Sequence, residues 1–297
     1  MLILNQQVRE YDTRLESLPR MSASSGPVNR VRPPILDAAK KRIFIASEGA
    51  HPLDIFTPAV SLNSVPNARW VYIDNEGTPS VFVFTDGAAP GNGQPGSRGG
   101  CGVVYSPLQP GISFPLEHAP DGGEPTSNRA ELRAVLGAVE MRHWSGEGFG
   151  RLVIGTDSEY VVKGISKWCQ KWRKNGWKTA SGTHVKNQDL WTLLLEKVER
   201  LESQGFSVQF FQLKREWNEQ ADACAKKAAC SLPNQGHLIL DSAVLDIRDI
   251  QMYTKLLSNG YVVTFVVTGV AATIVIGTVP VVAGVAATVV TGAIAGD

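Results

Sequence analysis

Cysteine is scarce in this 297-residue sequence, and what there is makes no pattern. Cys101, Cys169, Cys224 and Cys230 contain no C-x-x-C pair and no evident disulfide framework, so free thiols in a reducing compartment are expected. Excess charge is absent too: 29 Lys and Arg face 28 Asp and Glu, a net +1. Global charge therefore excludes neither nucleic acid nor protein as a partner, and only local clustering can point to one. The first twenty residues lack the apolar core of a secretory signal, and Glu10, Asp12 and Glu16 argue against an acid-poor transit peptide. An intracellular protein, nuclear or cytoplasmic, is expected, with Met21 as a second candidate start. No internal repeat is visible. Residues 1–76 hold few patterns and read as a partly disordered extension. Ser22 to Pro34 is linker-like, while Ile43 to Ile45 and Trp70 to Ile73 could be added strands.

Hydrophobic residues are not lacking: 43% is enough for a core, and the length suits one domain with extensions or two small ones. Order becomes legible at Val81. Val81 to Phe84 is a buried-type strand, followed by a Gly-rich turn over Pro90 to Gly100. Cys101 to Tyr105 and Ile112 to Pro115 read as two more strands. Thr126 to His143 predicts a helix, capped by Thr126 or Ser127, with Leu132, Val135, Leu136 and Val139 as its apolar stripe. Arg151 to Gly155 is a strand and Glu159 to Trp168 a helix. Asn187 to Leu201 is a helix with Leu190, Leu193, Leu194 and Val198 inward. Val208 to Leu213 is the last strand and Asn218 to Ala229 the last helix. This order predicts an α/β fold with a mixed sheet begun by a hairpin and covered by helices on both faces.

The C-terminal stretch stands apart. From Leu256 to Gly296 there is no charged residue, long enough for one tilted membrane span of roughly 20 or more residues, or for two short ones divided at Pro280. Arg248 and Lys255 before it would leave the bulk of the chain on the cytoplasmic side. The composition is Val, Ala, Gly and Thr rather than Leu. The alternatives are a buried apolar segment or translation past the end of the domain.

Four carboxylates fall at element ends. Asp86 and Asp157 each follow a hydrophobic strand, where sites form in α/β sheets. Glu131 and Asp222 lie about one turn into their helices, where negative charge is favoured. Four acids at partly buried positions repel one another unless cations hold them together. Hard divalent ions prefer oxygen ligands, and Mg²⁺ keeps waters and substrate phosphate in its shell. Any one of these acids alone would read as a helix cap or a surface charge; four in this arrangement argue for a metal-dependent phosphodiesterase.

Phe84-Thr85-Asp86-Gly87, Ser127-Asn128-Arg129-Ala130-Glu131-Leu132, Gly155-Thr156-Asp157-Ser158-Glu159-Tyr160-Val161 and Asn218-Glu219-Gln220-Ala221-Asp222 closely resemble the motifs of type 1 ribonuclease H, in order and spacing, over about half of the chain. The resemblance implies an RNase H-like five-stranded mixed sheet over residues 77–233, then a linker over 234–255 and the hydrophobic tail over 256–297. It also implies endonucleolytic hydrolysis of the RNA strand of an RNA–DNA hybrid, leaving a 3′-hydroxyl and a 5′-phosphate. Asp86, Glu131, Asp157 and Asp222 would be catalytic and metal-binding, with two Mg²⁺ ions per site, Mn²⁺ as substitute, and a monomeric chain. Asn92 and Asn128 fall where the family contacts the minor groove, in which the 2′-hydroxyl marks RNA; the alternative for either is a turn or cap residue, and for Asn92 the two readings are even.

Between Tyr160 and Asp189 there is no acid. Lys163, Lys167, Lys171, Arg173, Lys174, Lys178 and Lys186 interleave there with Trp168, Trp172 and Trp177. Cations suit a phosphate backbone and indoles pack on sugar or base, although one or two of these Trp would serve the core. The segment resembles the family's basic protrusion, which grips the DNA strand; Lys171, Trp172, Arg173, Lys174, Trp177, Lys178 and Thr179 are its candidate contacts. In one respect the pattern is broken. Many relatives carry a His between the last strand and last helix, whereas Lys214-Arg215-Glu216-Trp217 holds none, and His51, His118, His143, His184 and His237 lie elsewhere in sequence. Water can carry protons in such chemistry, with Arg215 or Glu216 as partial substitutes. Competing readings are a hybrid-binding module without catalysis, an integrase-like enzyme of the same fold, and a membrane-tethered protein whose nuclease-like domain is secondary.

Overall fold

The computed structural model describes residues 10–21, 42–61 and 67–230, together with the backbone of strands at 238–240, 261–268 and 271–278. The linker read at Ser22 to Pro34 lies outside them. A seven-stranded mixed sheet organises the first part. Its centre is β3 (Pro79–Ala88), which pairs in parallel with β6 (Arg151–Thr156); β6 in turn pairs in parallel with β7 (Ser207–Gln212). The other side of β3 takes two antiparallel strands in succession, β2 (Ala68–Ile73) on its first half and β4 (Gly100–Val104) on its second. Beyond them lie β1 (Thr57–Val60), paired with β2, and β5 (Ile112–Pro115), paired with β4. The five strands expected from the sequence, β3 to β7, are thus joined by two from the N-terminal extension, so the sheet continues upstream of residue 77.

Strand alternation divides the core. Val81 and Val83, Leu152 and Ile154, and Val208 and Phe210 face one side. There they meet Leu132, Val135, Leu136 and Val139 of α2 (Ser127–Glu140), and Trp191, Leu194 and Val198 of α5 (Gln188–Ser203). Phe82, Phe84, Val153 and Phe211 face the other side, against Ala221 and Cys224 of α6 (Glu219–Cys230) and against Phe56 and Trp70. Phe56 follows α1 (Pro52–Ile55), so part of this second face is covered by the extension rather than by a helix of the nuclease-like region.

Two helical expectations change. In α5 the buried positions are Leu190, Trp191, Leu194, Leu195 and Val198, while Leu193 is 38% exposed. With Trp191 and Leu195 in the stripe, its centre turns away from Leu193 by about 130° at roughly 100° per residue. The helix expected over Glu159 to Trp168 starts as α3 (Glu159–Lys163), passes a π-helical turn at Gly164–Trp168 and resumes as α4 (Cys169–Lys174). All four cysteines are free.

The tail differs from a helical span where it is described. β9 (Tyr261–Thr268) and β10 (Ala271–Thr278) pair antiparallel, with β8 (Leu238–Leu240) on the other side of β10. Their Val, Ile and Thr content suits extended backbone, which β-branched side chains favour over helix. Among the described residues no helix is long and apolar enough to cross a membrane. The rest of 256–297 lies outside them.

Candidate active site

Register sets two of the acids side by side. Phe84 is the parallel partner of Gly155, and two residues beyond each stand Asp86 and Asp157, at the same end of adjacent strands. Glycine packing draws in the other two. Gly87 touches α2 so closely that a Cβ there would lie 2.0 Å from the backbone nitrogen of Glu131. Gly102, the cross-strand partner of Asp86, would place a Cβ 2.2 Å from the carbonyl oxygen of Ala221, the residue before Asp222. Only a residue without a side chain lets the two helices approach this end of the sheet so closely. The structure thus brings Asp86, Glu131, Asp157 and Asp222 together.

Electrostatics reflect the crowding. Asp86 is 7% exposed, and its carboxyl is pushed up to about 8, first by burial and then by the charges of Asp157, Asp222 and Glu131, against one hydrogen bond from the Gly87 backbone. Glu131 is raised by burial and by Asp157, partly offset by the hydroxyl of Ser158 and the charge of Arg215. Three of the acids also have a side-chain holder. Ser158, which caps α3, donates its hydroxyl to Glu131. Asn218 donates through Nδ2 to Oδ1 of Asp157 at 2.8 Å and to the carbonyl oxygen of Thr85 at 3.0 Å. Lys226 reaches Oδ2 of Asp222 at 2.7 Å. Asn218 is 1% exposed, and its Oδ1 has no partner among the described residues. Beside it opens a cavity of about 400 Å³ lined by Asp157, Arg215, Glu216, Asn218, Glu219 and Asp222.

Among the described residues no three His, Cys, Asp or Glu side chains are grouped closely enough to enclose a metal ion by themselves. Asp157 and Asp222 line the open cavity, with Asp86 and Glu131 close behind them, and such an all-oxygen set fits a hard cation that keeps water and takes phosphate as further ligands. The raised carboxyl of Asp86 fits too, because a nearby cation would favour its ionised form.

The other sequence candidates divide. Asn128 is exposed at the start of α2, where Thr126 is the cap, accepting from the Arg129 N–H at 3.3 Å. Asn92 has φ 31° and its Oδ1 accepts the Ser127 N–H at 3.0 Å, so it fastens the Gly-rich turn to α2. Trp172 and Trp177 are half-buried against the core, with ring centroids 6.4 Å apart; Trp172 also stands 5.7 Å from Trp168 and 5.8 Å from Trp191. Lys171, Lys174 and Lys178 are exposed, whereas Arg173 is engaged by Glu199. The Thr179 hydroxyl shares hydrogen bonds with those of Ser181 and Thr183.

Sequence reasoning gave no role to Ser158 or Asn218, although each sits within a quoted motif beside or near an acid. It also placed no His at the 214–217 connection, which forms a 3-10 turn at Arg215–Trp217. The fold brings one there from far upstream: the rings of His51 and Trp217 stand 5.2 Å apart.

The RNase H family profile matches residues 78–230, just over half of the chain. The chain belongs to the RNase H family. Among its relatives, the ribonuclease H of Aromatoleum aromaticum is 40% identical over 164 residues, covering 54% of this chain and 96% of that protein. Human ribonuclease H1 is 36% identical over 156 residues, covering 50% of this chain and 50% of the human protein. The chain therefore spans nearly all of the bacterial relative but half the length of the human one. A solved RNase H chain, LC11-RNase H1 in complex with RNA/DNA hybrid, is 22% identical with a TM-score of 0.36, covering 50% of this chain and 95% of that one. RNase H proteins are nuclease hydrolases, and the matched region contains all four carboxylates.

Proposed function

We propose that this RNase H protein cleaves the RNA strand of RNA–DNA hybrids endonucleolytically, leaving a 3′-hydroxyl and a 5′-phosphate. The observation that carries the reading is the convergence of Asp86, Glu131, Asp157 and Asp222, from four separate elements, on one end of the sheet. These residues would hold two divalent ions, Mg²⁺ with Mn²⁺ as substitute. When bound, such ions supply an activated water and neutralise charge on the leaving oxygen.

The chain's own groups do the rest. Asn218 keeps Asp157 turned toward the cavity, and Ser158 orients Glu131. Arg215, at the cavity wall, offers a cation to a phosphate oxygen. Asn128 presents an exposed amide for a 2′-hydroxyl, and Asn92 acts through the turn it holds. Lys171, Lys174 and Lys178 face the phosphates of the DNA strand, with Arg173 shared between that role and Glu199. Trp172 and Trp177, both half-buried, shape the platform that carries these cations.

One assay tests the reading. Labelled RNA–DNA hybrid, RNA duplex and DNA duplex are offered with Mg²⁺ to the wild type and to Asp86→Asn. Cleavage confined to the hybrid's RNA strand and abolished by the substitution is expected. Tight hybrid binding without cleavage by the wild type would make this a binding module instead.

A further inference from the structure

The family match begins at residue 78, yet chain upstream of it reaches the catalytic end of the sheet. Residues 42–44 run beside β7: the Phe44 N–H donates to the Phe210 carbonyl at 2.9 Å, and the Phe210 N–H to the Arg42 carbonyl at 2.8 Å. Arg42 is buried and holds both carboxylate oxygens of Glu202, in the last turn of α5, at 2.9 Å. The Phe44 ring packs on Phe56, Tyr72 and Phe211. Fixed by these contacts, the strap then carries His51 to the loop after β7.

His51 is held from both sides. Its Nδ1 accepts the Leu53 N–H at 3.2 Å, capping α1, and its ring meets Trp217 edge to face, at 5.2 Å and 69°. Lys214 places its Nζ 4.8 Å over the Trp217 ring. The neighbours of Trp217 in sequence, Glu216 and Asn218, line the cavity, as does Arg215. The backbone of this turn is closed by hydrogen bonds from the Trp217 N–H to Lys214 and from the Asn218 N–H to Arg215. A turn of three residues has little stiffness of its own, so the direction of its side chains depends on where Trp217 is seated.

The geometry points to His51 as a positioning residue for the reaction, seating Trp217 so that Arg215 and Asn218 face the cavity. This rests on the hydrolase reading proposed above. His51 lies outside the family-matched region and does not act by touching phosphate or metal; its effect passes through an indole. The extension is then part of the working enzyme.

Two full-length variants separate its two contacts. His51→Asn keeps an acceptor for the helix cap and removes the ring. His51→Phe keeps a ring and removes the acceptor. With a labelled hybrid and Mg²⁺, kcat is expected to fall about fivefold in His51→Asn, as an edge-to-face aromatic pair is lost, with KM within about twofold, and to recover in His51→Phe. In parallel, hydrogen exchange of the Trp217 and Asn218 amides should quicken about fivefold in His51→Asn and return in His51→Phe. Wild-type kcat and exchange in His51→Asn would overturn the proposal, and so would equal impairment in both variants, which would assign the effect to the cap. A wild type inert on the hybrid would sink the hydrolase reading, while the exchange measurement would still decide whether His51 seats the loop.

Discussion

Arg129 on α2 grips Asp189 at the start of α5 through two hydrogen bonds, Nη1 to Oδ1 at 3.0 Å and Nη2 to Oδ2 at 2.7 Å. The pair fastens the helix that carries Asn128 and Glu131 to the helix that follows the basic segment. Arg129 is buried and Asp189 is partly open to solvent. Burial alone would raise the Asp189 carboxyl, but the hydrogen bonds and charge of Arg129 hold it below its ordinary value. A depressed carboxylate contributes stability above its unfolded pKa and loses it as pH falls through the folded one. Arg129→Ala should therefore cost about 2 kcal/mol at pH 7, less than a fully buried pair would. The difference from wild type should shrink as pH falls below about 4. Urea unfolding at pH 7 and at pH 3 checks both.

Asp86 has the opposite sign. Burial and the neighbouring acids push its carboxyl up to about 8, so at pH 7 without metal it favours the protonated form while the unfolded chain is ionised. A raised carboxylate costs nothing below the unfolded pKa and destabilises increasingly as pH climbs through the window from about 4 to 8. Metal-free Asp86→Asn should accordingly be more stable than wild type at pH 7.5, and no more stable at pH 4. Cation binding must expel that proton. Calorimetric titration of the wild type with Mg²⁺ at pH 7, in buffers of different ionisation enthalpy, should show release of about one proton, and Asp86→Asn should show none. Equal proton release by both proteins would break the link between this carboxyl and the cation.

Asn218 holds Asp157 and the carbonyl of Thr85 with one amide nitrogen. Asn218→Ala should lower kcat about 10- to 100-fold, the usual scale for a group that orients a metal-binding carboxylate, with hybrid affinity little changed. Steady-state cleavage paired with hybrid binding in Ca²⁺ reads the two effects apart. An equal loss of affinity would mean that the amide meets substrate directly.

The basic segment makes a salt-dependent prediction. Replacing Lys171 and Lys174 together by Ala should flatten the slope of log affinity against log salt by about 2 for the hybrid. Adding Arg173→Ala should change it less, since Glu199 already engages that guanidinium. Fluorescence anisotropy across a salt series measures the slope; an unchanged value would remove these lysines from the phosphate interface.

The sequence made the central sheet legible because its signals are local. Val81 to Phe84 and Arg151 to Gly155 are apolar runs bounded by turn residues, and the acids stand at their ends. What escaped depends on distant partners. The basic segment reads as lending one or two Trp to the core, but nothing local says that Trp172 packs on Trp191 in the next helix, with ring centroids 5.8 Å apart. No local pattern says that Phe44 packs on Phe211, or that His51 reaches Trp217, because each pair is separated by more than 150 positions. Val262 to Val267 lies in the charge-free stretch expected to span a membrane, yet it is strand, because charge-free length does not distinguish helix from strand and β-branching does so weakly.

The strap beside β7 also bears on how a shortened form of this protein behaves. A strand with unpaired N–H and C=O groups invites another chain to pair with it, and proteins commonly cover such margins. Here residues 42–44 occupy the free side of β7, and residues 19–21 do the same for β1, with hydrogen bonds of 2.9 and 3.1 Å between Val60 and its neighbours. A fragment trimmed to the family-matched residues 78–230 would strip the cover from β7, lose β1 and β2 and so open the first half of β3, and bare Phe82 and Phe211. It would keep every carboxylate yet be prone to self-association, so poor solubility of such a fragment would reflect lost margins rather than a defective site.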